Sequence, residues 1–271
     1  MTLKDKRILI TGAAGEIGRE ICKILVAEGA QLCISGRSAA ALVEVENSLE
    51  TNDNIIKICA DLSNIDGPRD LVHAAIQAFN GKLDIIIHCA ALSFFSEHDS
   101  VSDGALADML NVNLLAPQLM AKAALPHFKK HNSGTFVCIG SILGSIGLGF
   151  SSGYSASKFG LRGFCEALRR ELRGSNIKVT FISPRAVQTK LNSAKMNEFI
   201  KQTRTTVDQV PEVARRIVIG IKKQKNETYL GLRESIFVKL NSIAPGLVDR
   251  AISGQMKVAR TVLTTDIKAQ R

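Results

Sequence analysis

Tyr154 and Lys158 stand four residues apart in Tyr154-Ser155-Ala156-Ser157-Lys158, at the start of a helix-like stretch. That spacing puts the phenol and the ammonium on one helix face. A phenol at its ordinary pKa of about 10 is a poor base at neutral pH. A neighbouring cation favours its ionised form and brings proton exchange with an alcohol or ketone oxygen within reach. Ser141 lies 13 residues upstream of Tyr154, in Ile139-Gly140-Ser141, just after a strand-like run.

A second constellation opens the chain. The strand-like run Arg7–Thr11 leads into Gly12-Ala13-Ala14-Gly15-Glu16-Ile17-Gly18 and then a helical pattern. Gly12 permits a tight turn, Gly15 lets backbone approach a pyrophosphate, and Gly18 lets the helix pack closely on the strand. The helix N-terminus supplies amide donors and a favourable dipole. A glycine triplet in this strand–turn–helix context points to a dinucleotide. An oxidised nicotinamide beside Tyr154 would add a positive charge to that of Lys158. About 20 residues further on, a site for NAD carries an acid. This chain has Ser35-Gly36-Arg37-Ser38, and Arg37 suits a 2′-phosphate, so NADP(H) is the expected cofactor. Asp61 and Leu62, after the third strand-like run, are expected to flank the adenine.

These residues need a scaffold of alternating strands and helices. Strand-like segments are Arg7–Thr11, Gln31–Ser35, Ile55–Cys59, Leu83–His88, Thr135–Ile139 and Lys178–Ser183. Helical patterns cover Ile17–Glu28, Ala39–Leu49, Ile65–Phe79, roughly Asp103–Lys129, and Tyr154–Arg173. The strands are apolar on both faces, as in a parallel sheet covered by helices on two sides. The expected fold is therefore α/β, a doubly wound parallel sheet (Rossmann fold) in a single domain. A polar stretch from about Gln188 to Gln209 interrupts the rhythm; a helix near Pro211–Lys225, a short strand near Thr228–Leu230 and a basic tail follow. Residues 1–232 are expected to form the catalytic body, with a substrate loop at 188–209, and residues 233–271 an amphipathic extension.

Composition excludes several classes. Forty-five per cent of the 271 residues are hydrophobic and 22% charged, which excludes a disordered chain. The net charge of +10 suggests polyanions as partners, yet its distribution redirects that idea. From Lys201 to Arg271 there are 14 basic and 6 acidic residues, so the surplus sits in the C-terminal quarter. Without interleaved aromatic residues, a nucleic-acid partner is not expected. The longest uncharged stretch, Asn132–Ser157, is half Ser and Gly and unsuited to spanning a membrane. The N-terminus has no signal-peptide apolar region, so a cytoplasmic location is expected. Six cysteines without Cys-x-x-Cys spacing read as buried free thiols, and no metal is expected.

Taken together, the glycine turn, Asp61, Leu83-Asp84, Asn113, Ser141, Tyr154, Lys158, and Pro184 with Thr189 resemble the short-chain dehydrogenase/reductase family, classical type, over residues 4–230. The resemblance implies Tyr154 as general acid/base and Lys158 as holder of the nicotinamide ribose. It further implies Ser141 as partner of the substrate carbonyl and Asn113 as holder of a proton-relay water. Thr189 and the Val187 backbone would bind the carboxamide, with Ile17, Ala90 and Pro184 completing the cofactor wall. The implied activity is NADPH-dependent reduction of a carbonyl on a small, hydrophobic, fatty-acyl or lipid substrate, in a homodimer or homotetramer. Two alternatives stand beside it: a sugar-nucleotide epimerase or dehydratase, and a non-catalytic cofactor-binding regulator.

Three features depart from the family pattern: Glu16 in the turn, His88-Cys89-Ala90-Ala91 after the fourth strand, and Arg185 where Pro-Gly is usual. Phe94, Phe95, Leu143, Leu148 and Phe150 are candidates for an apolar pocket. In the tail, Ile236, Phe237, Leu240, Ile243, Leu247 and Val248 recur at helical steps among Lys239, Arg250, Lys257 and Arg260, interrupted by Pro245-Gly246. That pattern suits a helix packed on the domain or on a second subunit, or one resting on anionic lipid through residues 235–260.

Overall fold

The strands bury alternate residues on opposite sides, which dictates a layer of helices on each face. In β1 (Arg7–Thr11), Ile8 and Ile10 enter one core while Leu9 enters the other. The same split recurs in β4 (Ile85–His88), where Ile85 and Ile87 face one way and Ile86 the other. The computed structural model describes residues 1–50 and 55–265. Its seven strands are β1, β2 (Gln31–Gly36), β3 (Ile56–Cys59), β4, β5 (Gly134–Ile139), β6 (Ile177–Ser183) and β7 (Glu227–Tyr229). They form one parallel sheet in the order β3-β2-β1-β4-β5-β6-β7. The expected doubly wound sheet is the observed one.

Helices α1 (Glu16–Ala27), α2 (Ala39–Asn47), α3 (Gly67–Ala78), α4 (Asp103–Leu110), α5 (Ala116–Lys130) and α6 (Ser152–Glu171) connect the first six strands. The long helix expected at Asp103–Lys129 is divided between α4 and α5 by one turn of π-helix, Asn111–Leu115. Pro117 at the start of α5 explains part of the break, because it has no N–H for the carbonyl four residues back, that of Asn113. Strand order reverses between β1, which pairs with β2 on one side and β4 on the other, so a crevice opens at the carboxyl ends of these strands.

The polar stretch after β6 contains a helix that the sequence pattern does not announce, α7 (Ala194–Gln202). Ser193 caps it by accepting from Met196 N at 3.1 Å, and Phe199 anchors it in the interior. Then follow α8 (Val210–Lys223), β7, α9 (Leu232–Ile243) and α10 (Pro245–Thr264). The tail therefore breaks at Pro245, as its sequence suggests. Its two helices behave differently. α10 packs on α7 through Ala259, Met256 and Leu263, which meet Phe199 and Phe95 in a small core of their own. α9 buries Val238 and leaves most of its large apolar side chains exposed. Residues 266–271 of the expected extension lie outside the described residues. No helix among the described residues is long and apolar enough to cross a membrane.

Candidate active site

The crevice holds a cavity of about 1300 Å³. Gly12, at φ +67°, turns the chain where a Cβ would lie 2.7 Å from the Ala90 backbone. At Gly18 a Cβ would sit 2.2 Å from the Gly12 carbonyl oxygen, so only glycine lets α1 pack against the turn. The first turn of α1 consequently opens onto the cavity with its amides unobstructed, a cradle that fits a pyrophosphate. Among the residues named from the sequence, Gly15, Ile17, Arg37, Asp61, Leu62, Ala90, Ser141, Tyr154, Lys158, Pro184, Val187 and Thr189 line this cavity with Gly12 and Gly18. Asn113 does not.

Asn113 is buried behind the wall and uses its whole amide on protein partners. Its Oδ1 accepts from Leu92 N at 2.8 Å, and Nδ2 donates to Leu92 O at 2.8 Å and Ser157 Oγ at 3.0 Å. The side chain thus pins the loop after β4 to the first turns of α6, which carry Tyr154 and Lys158.

Burial dominates the catalytic pair. The Tyr154 phenol is pushed up to about 12 by loss of water, a shift that the neighbouring Ser141 hydroxyl partly opposes. Lys158 is brought down to about 8, again chiefly by burial, and three cysteine thiols pull the other way. Its Nζ donates to Ile139 O at 3.0 Å and lies 5.8 Å from the Tyr154 ring centroid. The sequence spacing foresees the shared face. In the chain alone, however, desolvation outweighs the expected lowering of the phenol by the ammonium. The phenol is held in its proton-donating form.

The three departures from the family pattern have structural explanations. His88 is fully buried and held neutral, its pKa lowered to about 3 by desolvation. Thr11 Oγ1 accepts from Cys89 N and Ala90 N, and its hydroxyl lies 3.2 Å from His88 Nδ1, tying β1 to the end of β4. Glu16 Oε2 accepts from Lys190 N at 2.5 Å, joining the phosphate turn to the segment after β6. Arg185, open in function from sequence alone, is a three-way clamp. Its Nε and Nη2 donate to the two oxygens of Asp208 at 3.0 and 2.7 Å, and Nη1 donates to Glu234 Oε1 at 3.0 Å. These bonds raise the Arg185 pKa further and join the segment after β6 to α9.

The sequence also leaves some residues unmarked. Arg19, in α1, lines the same cavity as Arg37 and pairs loosely with Glu44 at 3.8 Å. Its position just past Gly18 is the available signal. Arg37 itself is exposed and makes no ion pair among the described residues. Asp61 is held below the usual carboxylate range by the Ser63 amide and hydroxyl. Of the apolar candidates, Leu143 and Leu148 line the cavity, whereas Phe95 and Phe150 pack in the core behind it and Phe94 borders a separate recess. Met196, Phe199, Ile200 and Ile252 extend the apolar wall. Cys22, Cys33, Cys138 and Cys165 are buried free thiols, but Cys59 is exposed and Cys89 half-buried at the cavity.

A model of the short-chain dehydrogenase family matches residues 6–199. Dehydrogenase/reductase SDR family member 7B of Mus musculus is 30% identical over 277 residues, spanning 95% of this chain and 83% of that protein. A Burkholderia phymatum short chain dehydrogenase/reductase solved with NAD superposes with a TM-score of 0.82 at 20% identity, covering 91% of this chain and 96% of the other. A metagenomic short-chain oxidoreductase solved with NADP gives 0.70 at 21% identity, covering 85% and 97%. At those identities the two structures establish likeness of fold.

Proposed function

The chain belongs to the short-chain dehydrogenase family, and on that premise we propose that it is an NADPH-dependent oxidoreductase reducing a carbonyl to an alcohol on a hydrophobic, fatty-acyl or lipid substrate. The observation that carries this reading is the convergence of Ser141, Tyr154 and Lys158 on a cavity that begins at the glycine turn and ends in an apolar wall. When bound, the cofactor supplies the hydride. Gly12, Gly15, Ile17 and Gly18 would hold its pyrophosphate and Arg37, with Arg19, its 2′-phosphate. Asp61, Leu62 and Ala90 would face the adenosine half, and Pro184, Val187 and Thr189 the carboxamide.

In the reducing direction Tyr154 donates its phenolic proton to the carbonyl oxygen while Ser141 hydrogen-bonds the same oxygen. Burial suits this role, because a phenol held near 12 keeps its proton throughout the neutral range. Lys158, charged below about pH 8, stabilises the phenolate left behind and would bind the ribose hydroxyls. The Asn113 carbonyl, to which Pro117 has no N–H to give, would hold the water that returns the proton. The same reading includes assembly as a homodimer or homotetramer and a cytoplasmic location.

The test is NADPH consumption across aldehydes and ketones of graded chain length, with NADH in parallel. Rates that favour NADPH and rise with chain length are expected. Absence of turnover with every carbonyl would overturn the reading.

A further inference from the structure

Twelve large hydrophobic residues are exposed among those described, and five of them fall between residues 236 and 247. Ile236 is 66% exposed, Ile243 84% and Leu247 54%, with Phe237 and Leu240 beside them. On α9, at about 100° per residue, Ile236, Phe237, Leu240 and Ile243 share one arc. Arg233 falls within that arc and Lys239 at its edge. The opposite side of the helix is committed to the body: Val238 is buried, Asn241 Nδ2 donates to Ser145 O at 3.0 Å, and Glu234 receives Arg185. The stripe is thus an unpartnered apolar face on a helix that is otherwise docked.

Charge identifies what would cover it. Arg233, Lys239, Arg250, Lys257 and Arg260 make no ion pair among the described residues, while the acids of the same segment are Glu234, turned inward to Arg185, and Asp249. A second copy of the chain would bring the same cations against these, whereas an anionic surface complements them. Position adds a second argument. Glu234 of α9 and Ile252 and Gln255 of α10 line the cavity, so the helices bearing the stripe and its cations also form the cavity wall.

We infer that the outer face of α9, continued by Leu247, docks on an anionic lipid bilayer and holds the cavity wall formed by α9 and α10 close to it, so that apolar carbonyl substrates reach the site from the membrane. The apolar side chains enter the acyl boundary while Arg233 and Lys239 stay at the headgroups. The docking stands on the stripe and its charges; the passage of substrate rests on the reductase reading.

Deleting the tail is a poor test, because α10 builds part of the cavity. Point variants of the full chain separate the two roles. In co-sedimentation, wild type is expected to bind vesicles of equimolar phosphatidylcholine and phosphatidylglycerol, more weakly at high salt, and to bind phosphatidylcholine alone poorly. Phe237→Ser with Ile243→Ser is expected to lower vesicle affinity at least about tenfold, with unchanged melting temperature and unchanged turnover of a small water-soluble ketone. Wild type remaining in the supernatant with both vesicles, or equal sedimentation of the double variant, overturns the inference. So does loss of a dimer by the double variant in sedimentation velocity without vesicle binding by wild type, which assigns the face to a second copy. If no ketone is turned over at all, the reductase reading fails while sedimentation still judges the docking.

Discussion

The two ends of the cavity are built in different ways. The cofactor end is made of short strand-to-helix turns on the most buried strands. Gly12 and Gly18 lie within six residues of each other across the start of α1, and Tyr154 and Lys158 sit on consecutive turns of one helix. The substrate end is assembled from distant segments. α7 leans on α10 about 60 residues later, and Arg185 closes the wall by reaching Asp208 and Glu234, 23 and 49 residues away. Local assembly makes a site rigid and recognisable. Long-range assembly leaves it free to vary with the substrate, at the cost of depending on a few polar ties.

Substitutions can break this contrast. The largest effect is expected from Tyr154→Phe, which removes the proton donor but little volume. Turnover should fall about 10²- to 10⁴-fold, with NADPH affinity by fluorescence titration nearly unchanged. Next, Arg37→Asp should reverse the charge facing the 2′-phosphate and shift the NADPH-to-NADH preference by about tenfold to a hundredfold. An unchanged ratio would remove Arg37 from the site. At the other end, Arg185→Gly restores the residue usual in the family and cuts all three ties. It should cost about 1.5–3 kcal/mol of stability and raise KM for long-chain carbonyls severalfold while leaving NADPH affinity alone. A matching loss of NADPH affinity would show that the two ends are one unit.

The smallest effect concerns pH. Lys158 is brought down to about 8, so kcat/KM for reduction is expected to hold through neutral pH and decline above that value. Tyr154, near 12, does not titrate in this range. The unfolded chain keeps the lysine proton up to about 10.5, so between about 8 and 10.5 it binds more protons than the folded chain. This group therefore makes stability rise with pH over the window in which activity falls. The buried thiols of Cys22, Cys33, Cys89 and Cys138, all raised by burial, act in the opposite direction, so chemical denaturation of wild type against Lys158→Met across that range isolates the lysine, beside initial rates of the wild type.

The same contrast explains what was legible in the sequence. The parallel sheet and the phosphate turn follow from apolar runs and glycines whose meaning is local. α7 was not visible because its few apolar residues, Met196, Phe199 and Ile200, become a core only when α10 arrives. The break in the helix after Asp103 was obscured because a π-turn adds a residue without altering composition. Asn113 is placed by its motif, but its amide joins Leu92 to Ser157, contacts 21 and 44 residues away that exist only in the folded chain. Arg185 announces itself as an oddity, and its partners lie too far along the chain to be read.

The most direct test of the central claim, hydride delivery at a carbonyl beside Tyr154, is a single-turnover reaction with NADPH deuterated at the transferring position of C4. The account predicts deuterium on the carbinol carbon of the product alcohol, formed at a rate that collapses in Tyr154→Phe. Product alcohol free of deuterium, or formed equally fast without the phenol, would contradict it.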